Sequence, residues 1–581
     1  MKKKHLTVLS IFLAVCLLCG CGGIPTALSG LFTQEREEYA VNELCRFSDM
    51  PYKRPDLDAM RAKAAEIEEA LNGTARFRRV TELLDDFFTM YNTADTMITI
   101  ADIRNCQDLT DEYYAEEYAW CSAALAEIGQ IVEQVYLACG SSRFAERLER
   151  DYFWEGFLED YGPESEGMLT DEYVALAARE SELIAQYRSL TNNPTIEFRG
   201  EEWFLNDWIY NAEDDEEVLL GYDLFYEKYN PILGELFVQL VELRREQAAV
   251  LGYDSYARMQ FDLDYGRDFT VEESDRFIDC VRETLVPLYV KLEESGRRDG
   301  IWYSVVEEED LEDTLETLSC ALGDEVREAY EFMKKYELYD LRFSADKPDM
   351  SFQTYLNDYE APFLFMSPYG SSEDILTVTH EFGHYVESYI SYNASRTIDL
   401  AECFSQAMTY LALDPMREIF ADEEVDNLRQ MNLVDTLETY VQQASFAAFE
   451  RAAFEMEDLS VEKLNALSLE LAKEYGYFDG VSTEYYAKSW IDIPHFYEQP
   501  FYVVSYPASA GVALEIYELE LNRSGAGYEK YLELAEAEDP GLIGAVEEAG
   551  LQNPLSAERV REIAGFLERE LITGSLNQTA A

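Results

Sequence analysis

The chain has 581 residues and a formal net charge of -70, with 116 acidic against 46 basic side chains. A surface that acidic repels nucleic acid and anionic lipid headgroups, which argues against both as partners held by charge. The length allows one very large core or two lobes, and the four histidines in the whole chain leave imidazole for little more than one site.

The N-terminus reads Met1-Lys2-Lys3-Lys4-His5, followed by an apolar run from Leu6 to Leu18. That run is too short to span a bilayer as a mature helix, which needs about 20 residues, and residues 1–20 are expected to be a signal peptide. Leu18, Gly20 and Cys21 resemble the lipobox of bacterial lipoproteins. The resemblance implies that Cys21 becomes the lipid-bearing N-terminal residue and that the protein is extracytoplasmic, anchored to the bacterial cell membrane. No other segment is long and apolar enough to cross a membrane, so the lipid alone is expected to hold the protein there. Seven cysteines follow Cys21, namely Cys45, Cys106, Cys121, Cys139, Cys280, Cys320 and Cys403. They show no paired CxxC spacing, so buried small hydrophobes are expected, with room for one or two disulfides in an oxidising compartment.

From Pro55 to Pro163 the chain has no intervening proline, and Thr81 to Phe88 is apolar at helical spacing, which predicts long helices over an N-terminal region, 21–194. The pattern lapses near Asn192-Asn193-Pro194 and resumes in a second region, 195–572. Helical runs are predicted over 214–251, 271–293 and 308–336, after one over 171–190 in the first region. The segment Tyr359 to Tyr369, apolar, aromatic and punctuated by prolines, predicts a strand. It has two readings, an edge strand able to pair with an extended peptide or a buried structural strand. Residues 573–581 read as a frayed tail.

Directly after that strand comes His380-Glu381-Phe382-Gly383-His384. Residues four apart share a helix face, so His380 and His384 can present two nitrogens to one zinc ion with Glu381 beside them as a general base. A catalytic zinc needs a third protein ligand. The candidates are Glu387, Asp399 and Glu402; Glu402 is preferred because it opens a second helical run that can return opposite the imidazoles, whereas Glu387 lies on the same rigid helix. The remaining histidine, His495, lies in Pro494-His495-Phe496-Tyr497 with Tyr502 and Tyr506 close behind. An imidazole and phenols can donate hydrogen bonds to a developing oxyanion, although an aromatic run is also what a core contains.

Thr377 to His384, Glu402-Cys403-Phe404-Ser405-Gln406 and the His495 to Tyr506 run together resemble the thimet oligopeptidase family of zinc metallopeptidases, and within it the oligoendopeptidase F branch. Arg245 to Tyr253 and Pro362 to Met366 also resemble that family's pattern, so the likeness covers roughly 200–570. It implies a mainly α fold, large, helical and two-lobed, with a deep channel that admits short unfolded peptides and a small strand region beside the zinc helix. It further implies one Zn2+ held by His380, His384 and Glu402, with Glu381 as base and His495, Tyr502 and Tyr506 on the substrate or its oxyanion. Catalytic roles fall to Glu381, His495 and Tyr506, and substrate binding to Tyr502. Short peptides are the expected partners, with no obligate protein partner. The chain departs from the pattern in a shorter connection from His384 to Glu402, in Glu387 where a histidine is common, and at Ser509, near which the cluster's last tyrosine falls. A thermolysin-like or aminopeptidase-type zinc peptidase, and a lipoprotein that only binds peptides, are the alternatives.

Overall fold

The computed structural model describes residues 43–573 except 155, 163–169, 213–214, 393–395, 479 and 481; the expected signal peptide, Cys21 and the end of the tail lie outside these. The described chain is mainly helical. Three long helices come first, α1 (Leu57–Asn72), α2 (Phe77–Gln107) and α3 (Glu112–Gly140), and all three contact one another. Their apolar faces form a core of their own, with Ile67, Leu84, Phe87, Val132 and Tyr136 at its centre. The first core also takes in Leu148, Phe157 and Tyr161, and a second, much larger core is built mainly from Leu183 to Leu571. Helix α2 serves both: Val80, Leu83, Leu84, Phe87 and Phe88 point into the first core, whereas Met97, Ile100 and Ile103 belong to the second.

Helix starts follow local chemistry. The Asp111 carboxylate accepts from the amides of Tyr113 and Tyr114 at the start of α3, and Thr170 does the same for α4 (Asp171–Thr191), satisfying amides that have no intrahelical partner. A short hairpin, β1 (Thr195–Phe198) and β2 (Glu201–Phe204), fills the lapse in helical pattern and is followed by the short helix Leu205–Tyr210 and then by α5 (Asp215–Val250). The run predicted over 271–293 is two helices, α6 (Val271–Thr284) and α7 (Val286–Ser295), because Pro287 lies in the first turn of a new helix and cannot continue the preceding one. The run over 308–336 likewise divides into α8 (Glu308–Ala321) and α9 (Asp324–Tyr336) at Gly323. A Cβ there would lie 2.5 Å from the Tyr528 ring.

The one three-stranded sheet among the described residues has the order β3 (Tyr339–Asp340), β5 (Ala361–Met366), β4 (Ser351–Leu356). Strand β5 runs parallel to β3 and antiparallel to β4, with Phe352 opposite Phe365 and Ser351 opposite Met366. The predicted strand therefore exists, but the edge-strand reading is corrected: β5 is central and all six of its residues are buried. An apolar run without alternation is what burial on both faces requires. Among the described residues, β4 is paired on one side only. All seven cysteines are free thiols, four of them buried, so the possible disulfides do not form.

Candidate metal centre and active site

Strand β5 leads through a turn into α10 (Glu373–Ser391), which packs on β4 and β5. The turn is fixed by Asp374, whose carboxylate accepts from the amides of Tyr369 (3.1 Å), Gly370 (2.6 Å) and Ser371 (3.1 Å). Helix α11 (Ile398–Leu411) crosses α10 closely. The crossing depends on Gly383, the residue before His384: a Cβ there would lie 2.6 Å from the Phe404 carbonyl oxygen and 2.7 Å from the Ser405 Cα. Its own carbonyl accepts from the buried Tyr531 hydroxyl at 2.9 Å.

The crossing brings Glu402 to the two histidines. His380 Nε2 and His384 Nε2 lie 3.6 and 3.8 Å from the same oxygen, Glu402 Oε2. The ligand atoms of His380, His384 and Glu402 all lie within 4.8 Å of one another, the one such group among the described residues. The two other candidate carboxylates are already committed. Glu387 accepts from Arg396 Nε at 2.6 Å, and Asp399 accepts from Arg267 Nε at 3.0 and 3.2 Å. Fully buried Glu402 faces imidazoles instead of a guanidinium, with Ser405 Oγ donating to it at 3.1 Å.

Burial sets the protonation of this group. It holds His380 down at about 4 and His384 well below its ordinary value, so both imidazoles are neutral and have a lone pair to offer a metal. Burial also raises Glu402 to about 7 and, with the Glu402 charge adding to it, raises Glu381 well above the carboxylate range. Glu381 Oε2 is buried with no hydrogen-bond partner, which is costly for a polar atom. Two imidazoles, one buried carboxylate facing them with no guanidinium or ammonium partner, and a second carboxylate with an orphaned oxygen fit the donor chemistry of a divalent zinc ion.

Residues 495–506 form an arm against this group. The Tyr502 hydroxyl donates to Glu402 Oε1 at 3.4 Å, and Tyr506 Oη lies 3.3 Å from His495 Nε2. The Tyr502 ring is 5.3 Å from the His495 ring and 5.2 Å from that of Tyr506. The structure thus assembles His380, Glu381, His384, Glu402, His495, Tyr502 and Tyr506 in one place. Both readings of the aromatic run apply, residue by residue: Phe496, Tyr497 and Phe501 are core, and Tyr497 stacks on Tyr187 at 3.9 Å, while His495 and Tyr506 remain half-buried at the site. Burial lowers His495 to about 4, so its ring is neutral and one nitrogen carries a hydrogen to donate.

Two stretches of the sequence match models of known families: residues 47–159 match the peptidase M3 N-terminal domain and residues 331–541 match peptidase family M3. The chain belongs to peptidase family M3. The second stretch contains every metal-group residue and the whole arm. This M3 chain is 27% identical over 186 residues to the chromosomal oligoendopeptidase F of Lactococcus lactis subsp. cremoris, covering 30% of the chain and 31% of the relative. It is 30% identical over 189 residues to an oligoendopeptidase F homolog of Borreliella burgdorferi, covering 29% and 31%. The match spans about a third of the length of these relatives. Its fold resembles that of PZ peptidase A solved with an inhibitor (TM-score 0.76, 22% identity, 91% of this chain and 100% of that one). It also resembles an oligoendopeptidase F from Enterococcus faecium (TM-score 0.58, 19% identity, 89% and 96%).

Membership of M3 sets aside the thermolysin-like and aminopeptidase alternatives. Sequence reasoning missed the two buried arginines that hold the arm. Arg244 donates to the carbonyls of Phe496 and Tyr497, and Arg267 donates to that of Phe501 at 2.9 Å. Their carbonyl partners lie more than two hundred residues away, and no local pattern marks such a contact. Gly383 was in view, inside the His-Glu motif, but its role depends on a second helix.

Proposed function

We propose that the chain is a zinc-dependent oligoendopeptidase that hydrolyses short unfolded peptides and is lipid-anchored through Cys21 outside the cytoplasm. The observation that carries the catalytic reading is Glu402, a fully buried carboxylate turned toward both imidazoles while its neighbours Glu387 and Asp399 are each paired with an arginine. When bound there, zinc lowers the pKa of a water molecule and polarises the scissile carbonyl. Glu381, whose ionised form a cation bound beside it would restore against the effect of burial, accepts the proton of the attacking water and passes it to the leaving amine. His495 and Tyr506 donate hydrogen bonds to the oxygen on which charge develops, and Tyr502 orients Glu402 while flanking the peptide. A purely structural metal site has no use for an unpaired buried carboxylate beside it, which weighs against the binding-only alternative.

The test is zinc content together with cleavage of a quenched peptide. The wild type should carry one zinc and cleave; Glu381→Gln should keep the zinc and lose at least about a hundredfold in rate. Zinc loss in that variant, or near-normal turnover, overturns the assignment. A stably folded protein should be cut poorly, and efficient cleavage of one would defeat the expected channel. Globomycin-sensitive processing and metabolic labelling with a fatty acid test the anchor.

A further inference from the structure

Arg267 occupies an unusual position between two parts of the site. Its guanidinium is fully buried. On one side Nε donates to both oxygens of Asp399, which lies one turn before Glu402 on α11. On the other side Nη1 donates to the Phe501 carbonyl at 2.9 Å, and Nη2 donates to Ser505 Oγ at 2.9 Å and to the Tyr502 carbonyl at 3.5 Å. The helix that carries Glu402 and the backbone of the residue whose hydroxyl reaches Glu402 are thus both referenced to one planar, rigid donor fork.

The turn it grips is not a relaxed one. Phe501 has φ +65°, a left-handed conformation disfavoured for a bulky L residue. Its amide donates to the buried Glu450 Oε1 at 2.8 Å, and the preceding carbonyl, of Pro500, accepts from the Tyr265 hydroxyl at 3.0 Å. Three consecutive carbonyls, 500 to 502, are therefore held from the stretch that follows the π-helical turn Gln260–Asp264. Strained backbone persists only where its surroundings over-determine it, and such places cluster at working sites. A buried ion pair adds little net stability over apolar packing of the same volume, so stability alone gives this arrangement no advantage.

Resting on the peptidase reading above, we propose that Arg267 is a positioning residue that sets the spacing between Glu402 and the Tyr502 arm and acts on the reaction only through that arm. The test compares Arg267→Lys, which keeps the cation for Asp399 but loses the fork, with the wild type. Zinc content should stay the same, kcat should fall roughly tenfold or more while KM changes less than about threefold, as expected when a donor is misplaced in the transition state alone. Amides in 499–505 should exchange with solvent faster while α10 and α11 keep their protection. In combination with Tyr502→Phe, the loss should be close to the larger single loss, because residues acting as a unit do not multiply their effects. A kcat within about twofold of wild type, fully multiplied losses, or unchanged exchange in 499–505 overturns the proposal. Should Arg267→Lys fail to fold, Ser505→Ala, which removes the Nη2 contact on the arm side, must give the same pattern, and its absence is equally decisive. A wild type without zinc-dependent cleavage would instead defeat the peptidase reading, while the exchange measurement would still judge the clamp.

Discussion

Glu387, Asp399 and Glu402 all follow the two imidazoles closely in the chain, and what separates them is the partner each has. Glu387 and Arg396 are both buried, and Arg396 also donates to the Ala535 carbonyl at 2.5 Å. Removing Glu387 leaves a buried guanidinium without its counter-charge, whereas removing Glu402 leaves the two imidazoles without their third companion. Glu402→Ala should therefore lose zinc with a modest change in stability. Glu387→Ala should keep zinc but be destabilised by about 3–5 kcal/mol, the range for breaking a buried pair. Metal retention and thermal unfolding of the two variants decide this, and the opposite ranking in zinc content would reassign the ligand. The sequence could name all three carboxylates and favour Glu402 on helix geometry. It could not show that Asp399 is taken by Arg267, 132 positions away.

At the scale of elements, the site is a crossing of two helices, and its closeness is a property of Gly383. Alanine raises helix propensity over glycine by up to about 1 kcal/mol in isolation. Here the added methyl would press on Phe404 and Ser405 main-chain atoms, which cannot turn aside as a side chain can. Gly383→Ala should lower the unfolding midpoint, with overpacking costing about 1–3 kcal/mol, and weaken zinc binding by moving α11 and Glu402 away from His380 and His384. A zinc titration of the apoprotein measures the second effect; wild-type affinity would show that the crossing has slack. The helices themselves were legible because apolar spacing is local, and they failed only where Pro287 and Gly323 break a continuous pattern. The strand at 361–366 was legible as a strand but not as the central one, since β3 and β4 are chosen by register across the sheet and not by anything within β5.

Across the whole molecule the excess of acid makes folding sensitive to pH. Burial raises Asp95 and Asp102 to about 7 and, with the Glu180 charge adding to it, Asp264 to about 8. Each ordinarily titrates near 3.8, so between about pH 4 and 8 the folded state holds protons that the unfolded chain has released. Their contribution is fully present below the unfolded value and is lost as pH rises through the folded one. Repulsion within a chain of net charge -70 changes in the same direction. Thermal stability should therefore rise as pH is lowered from about 8 to about 5.5. Asp95→Asn, which retains an acceptor for the Asn357 amide that donates to Asp95 at 2.6 Å, should be more stable than wild type at the alkaline end and show a flatter profile. A parallel profile would mean that Asp95 is ionised in the folded protein.

The seven free thiols bear on how such a chain is made. No covalent cross-link is needed among the described residues, and Cys106, Cys121, Cys139 and Cys403 are shielded inside the two cores, where burial also raises their thiols and leaves little thiolate to react. Folding is thus independent of the redox poise of the compartment in which it takes place, and refolding in reductant should yield the same fold as refolding in air. Among the described residues oxidation has one exposed foothold, Cys320, so covalent dimers formed in air through these residues should vanish in Cys320→Ser.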